Sequence, residues 1–419
     1  MTQADSAIVE RYRAPGFWRS VFYKLLFGRE ARHFALVLPL LLFILVTVVA
    51  PVGHFLYRAI DNSTVAENLP RTAASLSDWQ PADGAPGAAA FAAFAEDIRA
   101  AVKAETLGQL AQSLNQQLTG TRNMILKSGL VVDDSVTADN AKAVLLEKLP
   151  GLAKLELWAL FKAGGSAYTD FYLLQSLDLE RDVSGEVRMV GDDRAIFLAA
   201  IWRTIVISIN VTVICALLAL PVAHVLANAQ PPYAGILLAL VLFPLWTSLL
   251  VRTVSWIIIL QGEGPVNTSL QLLGLIDNPL HLVYTRGSLY IAMVQVLLPL
   301  MILSILAVVV KLPRELVRAA TSLGADWWQA YWRVQLPLIA PGIVTGAGIV
   351  FVFALGYYIT PALIGGPRDQ MLSSYVALYT NKTLNWGLAA ALALQLLLVL
   401  VVAMLGWAAF QKLSKGKGA

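Results

Sequence analysis

The chain has 419 residues, of which 58% are hydrophobic and only 14% are charged, and its formal net charge is +4 at pH 7. This composition excludes an ordinary soluble domain, because soluble proteins carry about 25% charged residues. The positive charge does not indicate nucleic-acid binding, because the basic residues lie beside apolar segments, where they orient a membrane protein. The composition therefore predicts an all-α membrane protein.

Six segments are apolar and long enough to span a bilayer, which takes about 20 residues each. They cover residues 34–57, 196–226, 234–260, 288–310, 340–362 and 386–410. The first segment has too long an apolar run for a signal peptide and lacks a small-residue cleavage site, so we expect an uncleaved anchor. We predict six transmembrane helices, the last five of which form a core over residues 196–410.

The segment between the first two predicted spans, residues 58–195, differs from the rest of the chain. Residues 59–194 are polar and contain 19 acidic and 12 basic residues. Helical periodicity in 90–118 and 138–150 predicts a mainly helical domain, whereas the Pro- and Gly-rich stretch 76–87 predicts a loop. We expect an extracytoplasmic insertion, which serves either as a spacer or as a dock for a binding protein or a cover for a gate.

Three residues of the second predicted span have simple structural interpretations. The lone Cys215 cannot form an internal disulfide, so we expect a small apolar packing residue. Arg203 lies near the external start of the span and His224 near its inner end. Both are expected at the membrane interface, where a polar tip stays in water.

The third predicted span carries a second arginine, Arg252. It follows the cytoplasmic start of the span by about 18 residues, which is about 27 Å along a straight helix, so we expect it near the external face. One interpretation is that its side chain extends to the interface. The alternative is that Arg252 lines the outer vestibule of a solute pathway with Trp246, Thr247 and Trp256.

The loop between the fourth and fifth spans, residues 311–341, is predicted to contain two short helices that are separated at Gly324. Pro313 suits the first turn of a helix, and Gly324 suits the left-handed position that ends one. Asp326 can cap the second helix, and Pro337 stops that helix or redirects it into the next span. The loop is either a docking site for another chain or an interfacial hairpin without a partner.

Prolines in three spans are expected to interrupt them, because proline removes a backbone donor and kinks a helix. These are Pro244, Pro299 and Pro361. Beside the last of them lie two phenols and a hydroxyl, those of Tyr357, Tyr358 and Thr360. This group suits a polar or cationic solute in a pathway. The alternative is an aromatic belt at the membrane interface.

Basic residues cluster in three regions, which are the N-terminal segment 1–33, the loop 311–341 and the tail 411–419. By the positive-inside rule all three regions are cytoplasmic. Six spans with both termini in the cytoplasm satisfy this arrangement. The same topology places the acidic insertion on the other side of the membrane.

The sequence contains no motif for catalysis. The phosphate-binding pattern G-x-x-x-x-G-K-[ST] is absent, the four histidines lack metal-ligand spacing, and no nucleophile elbow occurs. We therefore expect no enzyme activity, no catalytic residue, no metal site and no cofactor bound by this chain. The predicted spans also contain no Asp or Glu, which argues against coupling to a proton or sodium gradient.

The loop carries the pattern R-A-A…L-G-A…R-V-x-L-P-L-I-x-P-G, which resembles the E-A-A loop of bacterial ABC importer permeases. In that family the loop is the coupling helix that sits in a cleft of the cytoplasmic ATPase. The matching positions are Ala319, Ala320, Leu323, Gly324, Ala325, Val334, Leu336, Pro337, Pro341 and Gly342. Arg318 replaces the family's usual glutamate, and Glu315, one helical turn earlier, can take over a charge contact with the ATPase.

From about residue 196 to the end, several further stretches are similar to the spermidine/putrescine branch of these permeases. They lie at 203–204, 220–224, 243–253, 264–267 and 355–367. The long insertion departs from that branch, in which the loop after the first span is short. The resemblance implies an inner-membrane subunit that imports a polyamine or a related amino compound.

The resemblance also implies partners. These are a second, related permease, two copies of a cytoplasmic ATPase that binds the ATP, and a periplasmic solute-binding protein. The implied mechanism is alternating access, driven through the coupling loop 313–337. Two other functions stay open from the residues alone. One is an ion-gradient-driven secondary transporter, and the other is a membrane-anchored receptor or scaffold that acts through residues 59–194.

Overall fold

The computed structural model describes residues 31–191 and 193–416. Most of the predicted cytoplasmic segment 1–33 and the last three residues of the predicted tail 411–419 therefore lie outside the described residues. The chain divides into two compact units, one of which ends at Arg58 while the other begins at Ala59.

The described part of the first unit is one helix of membrane length. Helix α1 (Ala31–Ile44) continues through a π-helical turn (Leu45–Val49) into α2 (Ala50–Tyr57). The π turn directly precedes Pro51, which lacks the backbone N–H that a regular helix needs there. The apolar stretch Leu36–Tyr57 has 22 residues, is long enough to cross a membrane and lies within the first predicted span.

The second unit begins with a group of short helices and a small hairpin. The helices are α3 (Ser63–Asn68), α4 (Pro70–Ser75), α5 (Ala88–Lys103), α6 (Leu107–Gln117), α7 (Arg122–Val131), α8 (Ala141–Lys148), α9 (Leu155–Ala163) and α10 (Phe171–Ser176). An antiparallel hairpin follows, made of β1 (Leu179–Arg181) and β2 (Val187–Met189), with Glu180 opposite Arg188. These elements, over residues 59–194, are called the helical insertion below.

Four aromatic side chains lie at the centre of the helical insertion. Phe91 and Phe94 come from α5, Trp158 and Phe161 come from α9, and all four are fully buried. The rings of Phe94 and Phe161 stack with their centroids 5.3 Å apart, and Phe91 lies 4.6 Å from Trp158. Buried aromatic pairs of this kind add stability beyond their area. The helical insertion therefore has a core of its own.

The prediction of a mainly helical segment is confirmed, and the stretch 76–87 is a loop with one 3-10 turn at Pro81–Asp83. The periodic stretch 90–118 is two helices, because Glu105 adopts a φ of 58° that no helix continues through. The hairpin was not predicted, because strands of three residues are too short to show a period of two.

The remainder of the second unit consists of apolar helices and their connections. They are α11 (Phe197–Asn228), α12 (Tyr233–Trp246), α13 (Leu249–Leu260), α14 (Pro265–Leu272), α15 (Arg286–Val309), α16 (Arg314–Ser322), α17 (Trp327–Ala330), a π turn (Tyr331–Gln335), α18 (Leu336–Gly356), α19 (Ile359–Ile364), α20 (Leu372–Asn381) and α21 (Trp386–Gly416). Helices α11, α15 and α18 pack against one another and form the core. Cys215 is fully buried within α11, as expected of a packing residue.

Five of the described helices are long and apolar enough to cross a membrane, and a bent pair can count as a sixth span. In that pair, Tyr233–Trp246 and Leu249–Leu272 meet at 99°, which agrees with the expected interruption of the third span at Pro244. The break follows Pro244. The backbone N–H of Thr247 bonds Pro244 O at 3.3 Å, which ends α12, and the extended backbone of Thr247 redirects the chain.

Proline acts differently in the fourth and fifth spans. Helix α15 runs through Pro299 without a break, so the expected interruption there is wrong. The long helix Trp327–Gly356 ends before Pro361 and begins well before the predicted bound of 340. A helix can accommodate a proline by bending while the neighbouring backbone hydrogen bonds remain formed. This explains why α15 is continuous through Pro299.

The helical insertion is attached to the ends of two membrane helices. The carboxylate of Asp178 accepts hydrogen bonds from the first backbone N–H groups of α11, at 2.8–3.1 Å, from Ile196, Phe197 and Leu198. Gln395 of α21 donates to the Ser176 hydroxyl at 3.0 Å. Because Asp178 satisfies donors that a helix start leaves free, it fixes the insertion to α11.

We expect Gly387→Ala to destabilise this attachment. A Cβ at Gly387 would lie 2.6 Å from the ring atoms Cδ2 and Cζ of Tyr172, which is buried. Overpacking of this kind costs about 1–3 kcal/mol. The control is Gly406→Ala in the same helix, where a Cβ meets nothing within 4 Å. Thermal unfolding of the full chain in detergent should show a lower Tm only for Gly387→Ala, and equal Tm values would contradict the close contact.

Candidate functional site

The loop between α15 and α18 has the two-helix form that the sequence predicts. Gly324 adopts a φ of 90° and ends α16. The N–H of Ala325 bonds Ala320 O, and the N–H of Gly324 bonds Thr321 O, both at 3.0 Å. These two bonds form a Schellman motif, which favours glycine at this position because other residues are strained there. The turn is therefore fixed by its own backbone.

The tip of this loop is exposed and apolar. The side chain of Leu323 is 89% exposed, and Trp327 and Trp328 are exposed beside it. Five more of the predicted coupling residues are exposed or half-buried in α16 and after it, namely Glu315, Arg318, Ala319, Ala320 and Ala325. Large apolar side chains grouped at a surface mark sites of interaction. We call the stretch 315–328 the loop tip.

An aromatic cluster supports the loop tip from behind. Trp327 stacks on Tyr331 at 6.2 Å, and Trp328 meets Trp332 edge to face at 5.5 Å. Tyr331 in turn lies 6.3 Å from His224, near the end of α11. The cluster therefore connects the loop to the second span.

His224 has a second contact with the loop, because its ring nitrogens lie 3.2 and 3.3 Å from Gln335 Nε2. The sequence interpretation of His224 as an interfacial residue missed this link. No signal in the sequence joins positions so far apart, since periodicity describes only one helix at a time.

Two details of the loop prediction are wrong. Asp326 occupies the N-cap of α17, but its side chain accepts no capping hydrogen bond. Pro337, which is exposed, neither stops nor redirects the helix, since Trp327–Gly356 is continuous. The π turn at Tyr331–Gln335 lies where Pro337 removes a regular donor, and the longer π bonds accommodate the proline.

A second group of predicted residues lies where two broken helices meet. The hydroxyls of Thr253 in α13 and Thr360 in α19 are 3.2 Å apart and buried. Both helices follow a break, α13 after the 99° bend and α19 after Gly356. Interrupted helices at membrane depth occur where the backbone lines a cavity or is covered by protein. We call the group around these two threonines the junction.

Arg252 precedes Thr253 at the junction. The chain turns by 99° between α12 and α13, so the distance of about 27 Å along a straight helix does not apply to Arg252, and its place near the external face stays a prediction. The atoms Nε and Nη1 of Arg252 are buried and have no hydrogen-bond partner among the described residues.

The other predicted pathway residues are spread around the junction. The Trp256 indole donates to Gln295 Oε1 at 2.9 Å and so joins α13 to α15. Thr247 donates to Pro244 O at 2.9 Å within the bend. Tyr358 is partly exposed, and Trp246 is 78% exposed at the end of α12. The structure thus groups Arg252 and Thr360 at the junction, while Trp246 ends α12 and Thr247 lies within the bend.

Polar contacts hold the chain after α19 against the starts of two membrane helices. Arg203 donates to Gln370 O at 2.9 Å, and Arg286 pairs with Asp369 at 2.8 Å. The hydroxyl of Thr204 accepts from Leu372 N at 2.8 Å. Arg203 therefore has a partner within the protein, which the sequence interpretation missed. In the described part of the chain, no cluster of His, Cys, Asp and Glu can hold a metal ion.

Residues 195–413 match the family described as binding-protein-dependent transport system inner membrane component. The chain is 32% identical over 209 residues to the Haemophilus influenzae spermidine/putrescine transport system permease protein PotB, with 49% of this chain and 73% of that protein covered. It is 30% identical to the Escherichia coli inner membrane ABC transporter permease protein YdcU, over 52% of this chain and 74% of that protein.

A solved bacterial ABC transporter involved in the import of the acidic polysaccharide alginate is 20% identical, with a TM-score of 0.45, and the match covers 52% of this chain and 79% of that one. The helical insertion lies outside the family match, as the sequence resemblance predicts. With the apolar helices and the loop in place, the match over more than half of the chain establishes that the protein belongs to the binding-protein-dependent ABC importer permeases and resembles their spermidine/putrescine branch.

Proposed function

We propose that this chain is the transmembrane permease subunit of an ATP-driven importer and forms the pathway for a small solute. A periplasmic binding protein delivers the solute, and a separate ATPase drives the cycle through the loop 313–337. The observation that carries the proposal is the loop tip, where a backbone-fixed turn presents Leu323 and two tryptophans to the surroundings. Such a rigid apolar projection suits insertion into a cleft of a partner chain.

The proposed residues of the ATPase contact have separate roles. Ala319 and Ala320 are small and let a partner surface approach closely, while Leu323 supplies an apolar anchor. Glu315 and Arg318 are both exposed and carry opposite charges. Because rim charges affect partner choice more than affinity, Arg318 in place of a glutamate selects an ATPase with a complementary charge.

We further propose that both termini are cytoplasmic in a bacterial inner membrane and that the segment 58–195, which contains the helical insertion, is periplasmic. The positive residues before the first span, in the loop and in the tail support this orientation. The attachment of the insertion to α11 and α21 supports a cover or dock that moves with the membrane helices. The pore core then comprises residues 196–410, with the coupling loop at 311–341.

The proposed complex contains a second, related permease, two ATPase copies and the binding protein. ATP binds to the ATPase, so this chain needs no cofactor of its own. Closure of the ATPase pair moves the coupling loops together and opens the pathway to the binding protein, and hydrolysis resets it. Each state is stabilised by different contacts at the loop tip, which is the requirement for coupling.

The proposed solute is a polyamine such as spermidine or putrescine, or a related amino compound. The similarity to the spermidine/putrescine transport system permease protein PotB supports this class. The aromatic rings beside the junction, Tyr357 and Tyr358, also support it, because π faces attract ammonium groups. Trp246, Thr247, Arg252, Trp256 and Thr360 complete the proposed pathway.

The test is an affinity purification of the tagged chain from its native membrane in mild detergent, followed by mass spectrometry. We expect an ATPase with a phosphate-binding loop and a second multi-span chain. Recovery of the chain alone, active in liposomes on an ion gradient, would instead support a secondary transporter. Recovery of only a soluble partner bound to the helical insertion would support a receptor.

A further inference from the structure

A cavity in the helical insertion is lined by three lysines that come from three different elements. Lys127 lies in α7, Lys148 ends α8, and Lys154 directly precedes α9. The volume of the cavity is about 340 Å³. Sites for small molecules are typically clefts of about 300–1,000 Å³, so this cavity is large enough to hold one. We call it the lysine cavity.

The charges around the lysine cavity are distributed unevenly. The insertion has 19 acidic residues and six lysines, yet half of these lysines line the cavity and no described acidic residue does. Glu147 and Glu156 are close to two of the lysines in sequence but lie outside the lining. Hydrogen bonds from Ser135, and to a smaller extent the charge of Lys148, lower the pKa of Asp133, which is exposed and also lies outside the lining. The cavity therefore has a local positive charge in an acidic domain.

The three lysines of the cavity do not hold the insertion together. Among the described residues, none of the three forms an ion pair or a side-chain hydrogen bond. By contrast, Lys142 donates to Pro86 O at 3.0 Å, and Lys162 donates to Trp79 O at 2.6 Å. Lysines that stabilise this domain thus have backbone acceptors, whereas the lysines of the cavity keep their ammonium groups available to an anion.

The lining of the lysine cavity also includes apolar side chains. Leu149 and Leu157 are buried, and Met124 is half-buried. A Cβ at Gly151 would lie 2.7 Å from Met124 Sδ, so the turn Pro150–Ala153 packs closely against α7. Because apolar contacts and separate positive charges occur in one cavity, it suits an anion that carries a hydrocarbon part.

We infer that the lysine cavity binds a small organic anion with two or more carboxylates. Each lysine ammonium binds an oxyanion as a point charge, and cations from three elements match several carboxylates better than they match one inorganic ion. The site lies outside residues 195–413, which match the permease family, and it does not concern the transported solute. A ligand of its own gives the insertion a role beyond that of a spacer.

The experiment is isothermal titration calorimetry of the full chain in detergent at constant ionic strength. Propane-1,2,3-tricarboxylate and its uncharged triamide are matched probes, because they share a carbon skeleton and differ only in charge and hydrogen-bond donors. We expect the tricarboxylate to bind at least about tenfold more tightly than the triamide and more tightly than inorganic phosphate. Added salt should weaken its binding, since the lysines are exposed.

Substitution of single lysines assigns the binding to the cavity. Lys127→Gln, Lys148→Gln and Lys154→Gln should each weaken tricarboxylate binding by about 3- to 10-fold, and Lys148→Arg should retain most of it. The matched control is Lys103→Gln, which removes an exposed lysine at the end of α5, outside the lining. It should bind the probe normally. All four positions are exposed, so the Tm of each variant without the probe should equal that of the native chain.

Several results would overturn the inference. Equal affinity for the tricarboxylate and the triamide would show that charge does not select the ligand. Tighter binding of inorganic phosphate would contradict an anion with several carboxylates. Native affinity in all three glutamine variants of the cavity, an equal loss in Lys103→Gln, or no binding of the tricarboxylate at millimolar concentration would show that the lysine cavity is not the site.

Discussion

Leu323→Asp is expected to abolish association of the chain with its ATPase and with it ATP-driven uptake. Leu323 is 89% exposed, so the substitution removes no internal packing and the chain should fold normally. In the complex the side chain would be desolvated in the partner's cleft, where a carboxylate is unfavourable. Central apolar anchors contribute about 2 kcal/mol or more, which corresponds to a loss of about 30-fold or more in affinity.

The matched control is Leu130→Asp, which makes the same chemical change at a leucine of α7 that is 85% exposed. Its ATPase affinity and its Tm in detergent should equal those of the native chain. Co-purification with the ATPase and stimulated ATP hydrolysis measure the difference. If Leu323→Asp keeps native affinity and coupling, the loop tip is not the docking site, and the interfacial hairpin becomes the better interpretation.

Local signals predicted the loop well, because its form depends on its own residues. The residue after Leu323 adopts a left-handed backbone conformation, which favours glycine. Gly324 stands at this position, and the turn makes the two backbone hydrogen bonds of a Schellman motif. The continuity of the next helix through Pro337 was not predictable in the same way. To predict a π turn, one has to know which backbone carbonyls lose their hydrogen-bond donors and which residues pack around them.

The spans were predictable from hydropathy, because an apolar run of about 20 residues has few alternatives. The break after Pro244 was expected from the proline, but the continuity of the helix through Pro299 was not, since the two prolines have the same local effect and yet only one is followed by a break. Which proline breaks a helix depends on tertiary contacts. At the first site the bend lets Thr253 reach Thr360, a pairing between positions far apart in sequence.

The residues of the candidate pathway were likewise predictable one by one, whereas their arrangement in space was not. Arg252, Tyr357 and Thr360 were recognisable as polar groups in apolar surroundings, which is a functional hypothesis by default. Their common location at the junction depends on two helix breaks that no periodicity reveals. That Nε and Nη1 of Arg252 have no partner among the described residues is likewise visible only in three dimensions, because it requires the positions of all neighbouring acceptors.

Gly346→Leu is expected to unfold the membrane core. A Cβ at Gly346 would lie 2.6 Å from Met301 Sδ and 3.0 Å from Ser304 Cβ, in the seam between α15 and α18. A Cβ at Gly342, one turn earlier on the same face, would lie 3.0 Å from Ser304 O. Small residues four apart let membrane helices approach closely. Leucine adds four carbon atoms at a place where the first one already clashes. The loss of folding stability should therefore reach or exceed the usual cost of overpacking, about 1–3 kcal/mol.

Gly348→Leu provides the control for this experiment, because a Cβ at Gly348, in the same helix, meets nothing within 4 Å. Its Tm in detergent and its yield in the membrane should match the native chain, whereas Gly346→Leu should lower both, and Gly346→Ala should fall between them. The graded series separates packing from a general effect of a larger side chain in a membrane helix. Equal Tm values for the two leucine variants would mean that α15 and α18 do not meet at Gly346, and the packing of the core would have to be revised.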